Sequence, residues 1–289
     1  MRLLCPNCRE VIDAETLACP NGHRFVCHDG VLSLLAESFG RELVAFLESF
    51  QAARAAEHKR LLDPAIYDRL PFIPAEVGGA QFQLEWRLRQ SDLALIADRL
   101  LDRSRLQVLD IGAWNGWLSH QLAQRGHDVT AIDYFVDEYD GLGARRFYST
   151  QWTAIQMDLL DLAVLDATFN VIVVNRCLQF LPDPIAYIGS VQKKLSAGGQ
   201  LIITGLPFFR DPRWKAQRVI AMQQAHRARY GFDLFLRPAQ GYLDFGHKRQ
   251  LEAAGVEMKH YPQLWRANLR AMVDRTRPLH LYGVYTSCS

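Results

Sequence analysis

The segment Gln107–Ser119, QVLDIGAWNGWLS, constrains the fold more than any other part of the chain. Val108, Leu109 and Ile111 form an apolar run around Asp110, and Gly112 and Gly116 then turn the chain into an amphipathic stretch. A buried strand, a tight glycine turn and a helix start, in that order, make a nucleotide-binding loop, because backbone approaches a ligand closely only where no Cβ intervenes. The helix predicted over Trp117–Arg125 stops at Gly126, a residue suited to the left-handed position that ends helices. A second strand, Asp128–Ile132, runs into Asp133, 23 residues beyond Asp110. A carboxylate there can accept hydrogen bonds from both hydroxyls of a ribose. The apolar stretches Ala154–Met157 and Val171–Val174 end in Asp158 and Asn175, and Leu195–Gly205 adds a helix end, a Gly198–Gly199 turn and a fifth strand. Polar residues at the ends of successive parallel strands share one sheet edge, where ligands bind.

With these motifs in this order, the chain resembles the class I S-adenosylmethionine-dependent methyltransferases over roughly Leu93–Ser289. VLDIGAWNG corresponds to their first motif, Asp133 to their ribose acid, Asp158 to their adenine-side acid, VIVVNRCLQFLPDP to the fourth motif and LSAGGQLIITG to the segment through strand five. The resemblance implies an α/β fold, a doubly wound, Rossmann-like seven-stranded sheet. Strands six and seven are expected near Val256–Tyr261 and Leu279–Thr286, the last one antiparallel. It also implies that Asp110, Gly112, Trp114, Asn115, Gly116, Asp133, Asp158 and Asn175 contact S-adenosylmethionine. Trp114 departs from the pattern, since it stands where the family loop usually has a second glycine. Its indole either crowds the methionine end of the cofactor or swings out to line the substrate side. Asp140–Tyr148, DGLGARRFY, is also similar to a subset of bacterial methyltransferases of poorly defined substrate. A dehydrogenase would need glycines spaced G-x-G-x-x-G, which this loop lacks. A doubly wound sheet that binds no cofactor is the bland alternative, and Trp114 is its argument.

The N-terminus carries a second signal. Cys5 and Cys8 stand two residues apart, ten residues follow, and Cys19 and His23 have three between them. Thiolates and an imidazole on two Cys-Pro turns suit tetrahedral Zn2+, and four protein ligands leave no open position, so the metal is expected to be structural. Cys27 is the alternative to His23 as fourth ligand. Leu3–Leu35 resembles the zinc ribbon of bacterial large-subunit rRNA guanine-N1 methyltransferases, in which a similar pattern precedes a catalytic domain. The expected organisation is a ribbon over 1–36, a helical linker or lid over 37–102 and the methyltransferase domain over 103–289. In the linker, Phe39–Lys59 and Gln81–Leu101 show helical stripes separated by Pro64, Pro71, Pro74 and Gly78–Gly79. Tyr67, Phe72, Phe82 and Trp86 line either a lid over the substrate or an ordinary core.

No signal peptide and no apolar run approaching 18 residues is present, so a cytoplasmic protein with no membrane partner is expected. The net charge of +2 is uneven: Ser196–Ser289 holds 14 basic and 6 acidic residues, whereas Leu106–Leu195 holds 6 and 10. A positive segment after strand five favours an anionic substrate. A polar or anionic small molecule is therefore expected ahead of rRNA or tRNA, whose binding normally brings a larger basic excess. A non-catalytic binding or scaffold protein of the same fold is the third reading. Nothing in the sequence speaks to oligomeric state. Asn175, His226 and Tyr230 are the catalytic candidates, with His247 beside them; a base is required only for a poor nucleophile such as a hydroxyl. Asn-Arg-Cys-Leu after strand four differs from the Asn-Pro-Pro-Tyr motif of base-amine methyltransferases and argues against methylation of the adenine amine.

Overall fold

The computed structural model describes residues 1–57, 60–101 and 103–288. The boundary expected at residue 102 and the end of the chain at residue 289 lie outside them. The chain separates into two compact units, Met1–Gly40 with Arg60–Val171, and Arg41–Lys59 with Ile172–Ser289.

The first unit contains β1 (Arg2–Leu3), β2 (Val26–His28), β3 (Val31–Leu34), the start of α1 (Glu37–Ala56), α2 (Ala80–Leu100), β4 (Gln107–Ile111), α3 (Trp117–Gln124), β5 (Asp128–Asp133), β6 (Thr153–Met157), β7 (Leu165–Asp166) and the start of β8 (Phe169–Asn175). β5 pairs in parallel with β4 on one side and with β6 on the other. Val108, Leu109, Ile111, Ala131, Ile132, Ala154, Ile155 and Met157 are all sealed from solvent. Strands buried on both faces read as continuous apolar runs, which is why they were visible in the sequence.

The N-terminal segment is built into this unit. β3 extends the sheet as a parallel neighbour of β6, Val31 facing Ala154 and Leu34 facing Met157, and β2 follows antiparallel. β1 pairs with β7, Leu4 N–H donates to Val164 C=O at 2.8 Å, and Arg9 grips both carboxylate oxygens of Asp161 at 2.8 and 2.9 Å.

The second unit takes the remainder of α1 and of β8, then α4 (Pro184–Gln192), β9 (Leu195–Phe209), α5 (Arg213–Tyr230), β10 (Leu243–Asp244), α6 (Phe245–Ala253), β11 (Glu257–His260), α7 (Trp265–Val273) and β12 (Pro278–Thr286). β12 is antiparallel to both β9 and β11, the arrangement expected of the last strand. Two expectations are corrected. The described residues hold twelve strands, not seven, because β1, β2, β3, β7 and β10 are short additions. The fifth strand does not wait for the Gly198–Gly199 turn but starts at Leu195, with Gly198 at φ +69° inside it. Its register with β12 shifts beside Gly205, φ +65°, a bulge that a residue with a Cβ would strain.

Candidate functional site

The loop after β4 is shaped by its own backbone. Gly112 and Ala113 N–H groups both donate to Ile132 C=O, at 3.0 and 3.2 Å, which ties the loop to the end of β5. Gly112 has φ +70° and Gly116 φ +79°, and a Cβ on Gly116 would come within 2.4 Å of the Trp152 ring. Glycine is thus required at Gly116 for conformation and for space. Trp114, at φ +52°, occupies the left-handed region that glycine would take without strain.

Two sets of contacts hold Trp114 there. Its backbone N–H donates to Asp133 Oδ2 at 2.7 Å, and its indole Nε1–H donates to Asp140 Oδ1 at 2.7 Å. The indole also stacks on Trp86 of α2, 5.8 Å between centroids and 28° between planes, and the Arg89 guanidinium lies 5.0 Å from each of the two rings. Asp140 opens the DGLG stretch, and its own N–H donates to Asp137 Oδ1; Asp137 also accepts from Arg60 through both carboxylate oxygens, each at 2.7 Å. Trp86, Arg89 and Asp140 were not assigned to the site from sequence. Only the DGLG resemblance hinted at Asp140.

The strand-end carboxyls are differently placed. Asp133 accepts from Trp114 N–H through one oxygen and from Phe135 N–H at 3.0 Å through the other. Burial pushes its pKa up to about 6, against the pull of the Phe135, Trp114 and Tyr134 amides. Asp110 is wholly buried, takes the Ser119 hydroxyl at 2.7 Å on Oδ2, and is pushed up to about 7 by burial, with the Asp133 charge adding to it. Asp110 Oδ1 and the Asn115 side-chain NH2, at either end of the loop, are buried and have no hydrogen-bond partner among the described residues. Asp158, half-buried after β6, accepts from Leu160 N–H at 3.0 Å. A cleft of about 450 Å³ lined by Gln107, Asp128, Thr130 and Thr153 opens at the strands' amino ends. Ligands of this fold bind at the carboxyl ends, so it has no place in the site.

In the second unit, Asn175 ends β8 with its side-chain NH2 buried and without a hydrogen-bond partner among the described residues. Arg176 follows at φ +56°, its N–H donating to Thr204 C=O at 3.3 Å, and its side chain fills the space beside Gly205. His226 and Tyr230 sit one turn apart on α5, with ring centroids 4.9 Å apart, and His226 packs edge-on against Phe232 at 4.6 Å. His247 is structural, since with Asp244 it forms the capping box that starts α6. Of the lid candidates, Tyr67 and Trp86 are core residues and Phe72 is exposed.

The Cys and His side chains of the N-terminus converge. The ligand atoms of Cys5, Cys8, Cys19 and His23 all lie within 4.8 Å of one another. Cys19 Sγ is 3.3 Å and Cys5 Sγ 3.6 Å from His23 Nδ1, and Cys8 Sγ is 3.6 Å from Cys19 Sγ. The Glu10 backbone N–H draws the Cys8 thiol down to about 6, whereas burial raises Cys5. Cys27 is exposed on β2 and outside the cluster.

A family model described as a methyltransferase domain matches residues 85–254. The chain belongs to that family. The chain is similar to proteins named ubiquinone biosynthesis O-methyltransferase. One from Psychrobacter arcticus is 26% identical over 155 residues, 50% of this chain and 60% of the relative. Another, from Xylella fastidiosa, is 30% identical over 187 residues, 59% of this chain and 71% of the relative. The chain thus spans only about 60% of the first of these relatives. Among solved structures, a candidate sarcosine dimethylglycine methyltransferase from Galdieria sulphuraria superposes with a TM-score of 0.52 at 12% identity, over 83% of this chain and 98% of that one. That likeness speaks to the fold. No described helix is long and apolar enough to cross a membrane.

Proposed function

We propose that this chain is an S-adenosylmethionine-dependent methyltransferase that alkylates a polar or anionic small molecule. The end of β8 carries the reading: Asn175 offers an unpartnered buried amide and Arg176 a cation, groups that orient an oxygen-bearing acceptor. The basic excess of Ser196–Ser289 agrees with it, and so does the O-methyltransferase name of the relatives. Bound S-adenosylmethionine supplies an electrophilic methyl, so the protein's part is chiefly alignment of the nucleophile. The orphaned Asp110 Oδ1 and Asn115 amide offer one acceptor and one donor to the amino-acid end, Asp133 has lone pairs left for ribose hydroxyls, and Asp158 accepts on the adenine side. Trp114, in the middle of the loop after β4, has its indole anchored on Trp86 and Asp140. His226 and Tyr230 are the remaining candidates for a base. The test is methyl transfer from labelled S-adenosylmethionine to a panel of phenols and carboxylic acids and, separately, to rRNA and tRNA. Label in the small molecules is expected; label only in RNA would replace this reading by the rRNA or tRNA one.

We further propose that Cys5, Cys8, Cys19 and His23 hold one structural Zn2+ in a ribbon over 1–36, ahead of a helical segment over 37–102 and a catalytic domain over 103–289. Around a tetrahedral zinc, sulfurs stand about 3.8 Å apart and a sulfur and a nitrogen about 3.5 Å apart. Three of the six donor separations, 3.3 to 3.6 Å, lie near those values, and all six are within 4.8 Å. Six free cysteines suit a reducing, cytoplasmic setting. Metal analysis of protein purified without chelator should give one zinc per chain, and Cys8→Ser should lose it.

A further inference from the structure

We propose that the second unit docks on an anionic membrane surface through α7 and α5. α7 turns Asn268 and Ala271 inward and leaves Trp265, Leu269, Met272 and Val273 exposed, Val273 by 88%. Those four recur at i, i+4, i+7 and i+8, one helical face. α5 buries a single residue, Val219, out of 18, and exposes Trp214, Ile220 and Met222. The two helices supply seven of the seventeen exposed large hydrophobic side chains among the described residues, from 27 positions. Such clustering marks an interaction face; scattered surface leucines would not.

Charge selects the occupant. Neither helix contains an aspartate or glutamate; together they carry Arg213, Lys215, Arg218, Arg227, Arg229, Arg266 and Arg270. Asp211 and Asp233, just outside α5, engage Arg213 and Arg227, which leaves a surplus of cations among the apolar side chains. Each helix carries an exposed tryptophan in its first turn with an arginine over its ring, Arg218 at 5.3 Å from Trp214 and Arg266 at 5.2 Å from Trp265. The helices meet at their ends: Asp211 N–H, two residues before α5, donates to the C=O of Arg275, two residues after α7, at 3.2 Å. Trp214, Met272 and Val273 therefore lie toward the same end of the unit. Tryptophan, aliphatic side chains and arginine on one helical surface are what the headgroup region of an acidic bilayer takes up. RNA would answer the arginines and could stack on the tryptophans, but it offers nothing to cover Leu269, Met272, Val273 or Ile220. Peripheral binding of this kind departs from the sequence expectation of no membrane partner, and it is independent of which molecule is methylated.

The test is sedimentation of the 289-residue chain with vesicles of phosphatidylcholine, with and without phosphatidylglycerol. Binding is expected to the anionic vesicles only, weakening as salt is raised. Leu269→Asp with Met272→Asp should abolish it, and Arg266→Gln with Arg270→Gln should weaken it by about fivefold per arginine. All four side chains are exposed, so S-adenosylmethionine affinity and the circular dichroism spectrum should not change and will separate lost docking from lost folding. Protein that stays in the supernatant with anionic vesicles overturns the proposal. So does RNA retention on a filter that the same variants abolish, or a light-scattering mass of a dimer that Leu269→Asp with Met272→Asp reduces to a monomer.

Discussion

α3 and α5 are both single helices following a sheet strand, and they are used in opposite ways. Six of the eight residues of α3, Trp117 to Leu122, are buried, including Ser119, His120 and Gln121. Each of those polar side chains has a partner: Ser119 on Asp110, His120 beside Thr150 at 2.8 Å, Gln121 on Leu70 C=O at 2.9 Å. α5, more than twice as long, buries Val219 alone. A helix buried along most of its length suits the loop it follows, since the cofactor site we propose there needs a fixed backbone. A helix with almost no inward face draws little of its stability from the domain under it and is free to meet something else. Substitutions in and around the two helices should therefore differ widely in cost.

Leu118→Ala should have the largest effect. Leu118 is among the largest fully buried side chains, and truncation leaves a cavity next to the loop. A loss of about 3 kcal/mol is expected in denaturant unfolding. A change under about 1 kcal/mol would mean that α3 is not the rigid element described.

Asp133→Ala comes next, read as cofactor affinity. Losing a charge-assisted acceptor pair should weaken S-adenosylmethionine binding by about 2 kcal/mol, roughly thirtyfold, in calorimetry. The same carboxyl sets a pH dependence. Its pKa is raised to about 6, so it takes up a proton as pH falls through that value and stops accepting from both hydroxyls. Affinity should fall by up to about tenfold per pH unit below 6 and level off above it, and Asp133→Asn should flatten the profile. Stability runs the other way. Asp133 and Asp110 hold their protons more tightly folded than unfolded, so their contribution declines as pH rises from 3.8, the ordinary carboxyl value, to about 7.

Trp114→Gly is smaller because two effects oppose. The indole loses its stack on Trp86 and its bond to Asp140, together about 2.5 kcal/mol, while glycine relieves about 1 kcal/mol of left-handed strain. A net destabilisation of about 1.5 kcal/mol is expected by thermal unfolding. A stabilised variant would show that the indole contacts contribute nothing.

The parts legible in the sequence are those that depend on neighbours in the chain. The strands at Val108, Ala131, Ile155 and Val173 are apolar runs buried on both faces, and Gly112, Gly116 and Gly126 stand where the backbone has positive φ. The cysteine spacing likewise foretold a cluster, and the structure brings Cys5, Cys8, Cys19 and His23 together. What was missed depends on distant partners. The union of Trp86 and Arg89 with Trp114 requires α2 to cross the loop, which no local pattern encodes. The Val31–Leu34 strand is four residues long, too short for periodicity to reveal that it joins β6. His247 looked like a candidate base because its value as a capping partner of Asp244 appears only once α6 is known to begin there.

Ile220→Ser on α5 should do least, and that makes it the sharpest test of the comparison. Ile220 is 52% exposed, so replacing it withdraws little apolar surface from the folded interior. Serine has a slightly poorer helix propensity, a difference of a few tenths of a kcal/mol. Surface substitutions of this kind fall within about 0.5 kcal/mol. If unfolding instead shows a loss near that of Leu118→Ala, Ile220 is covered in the protein in solution. In that case α5 is not the exposed helix that the contrast with α3 requires.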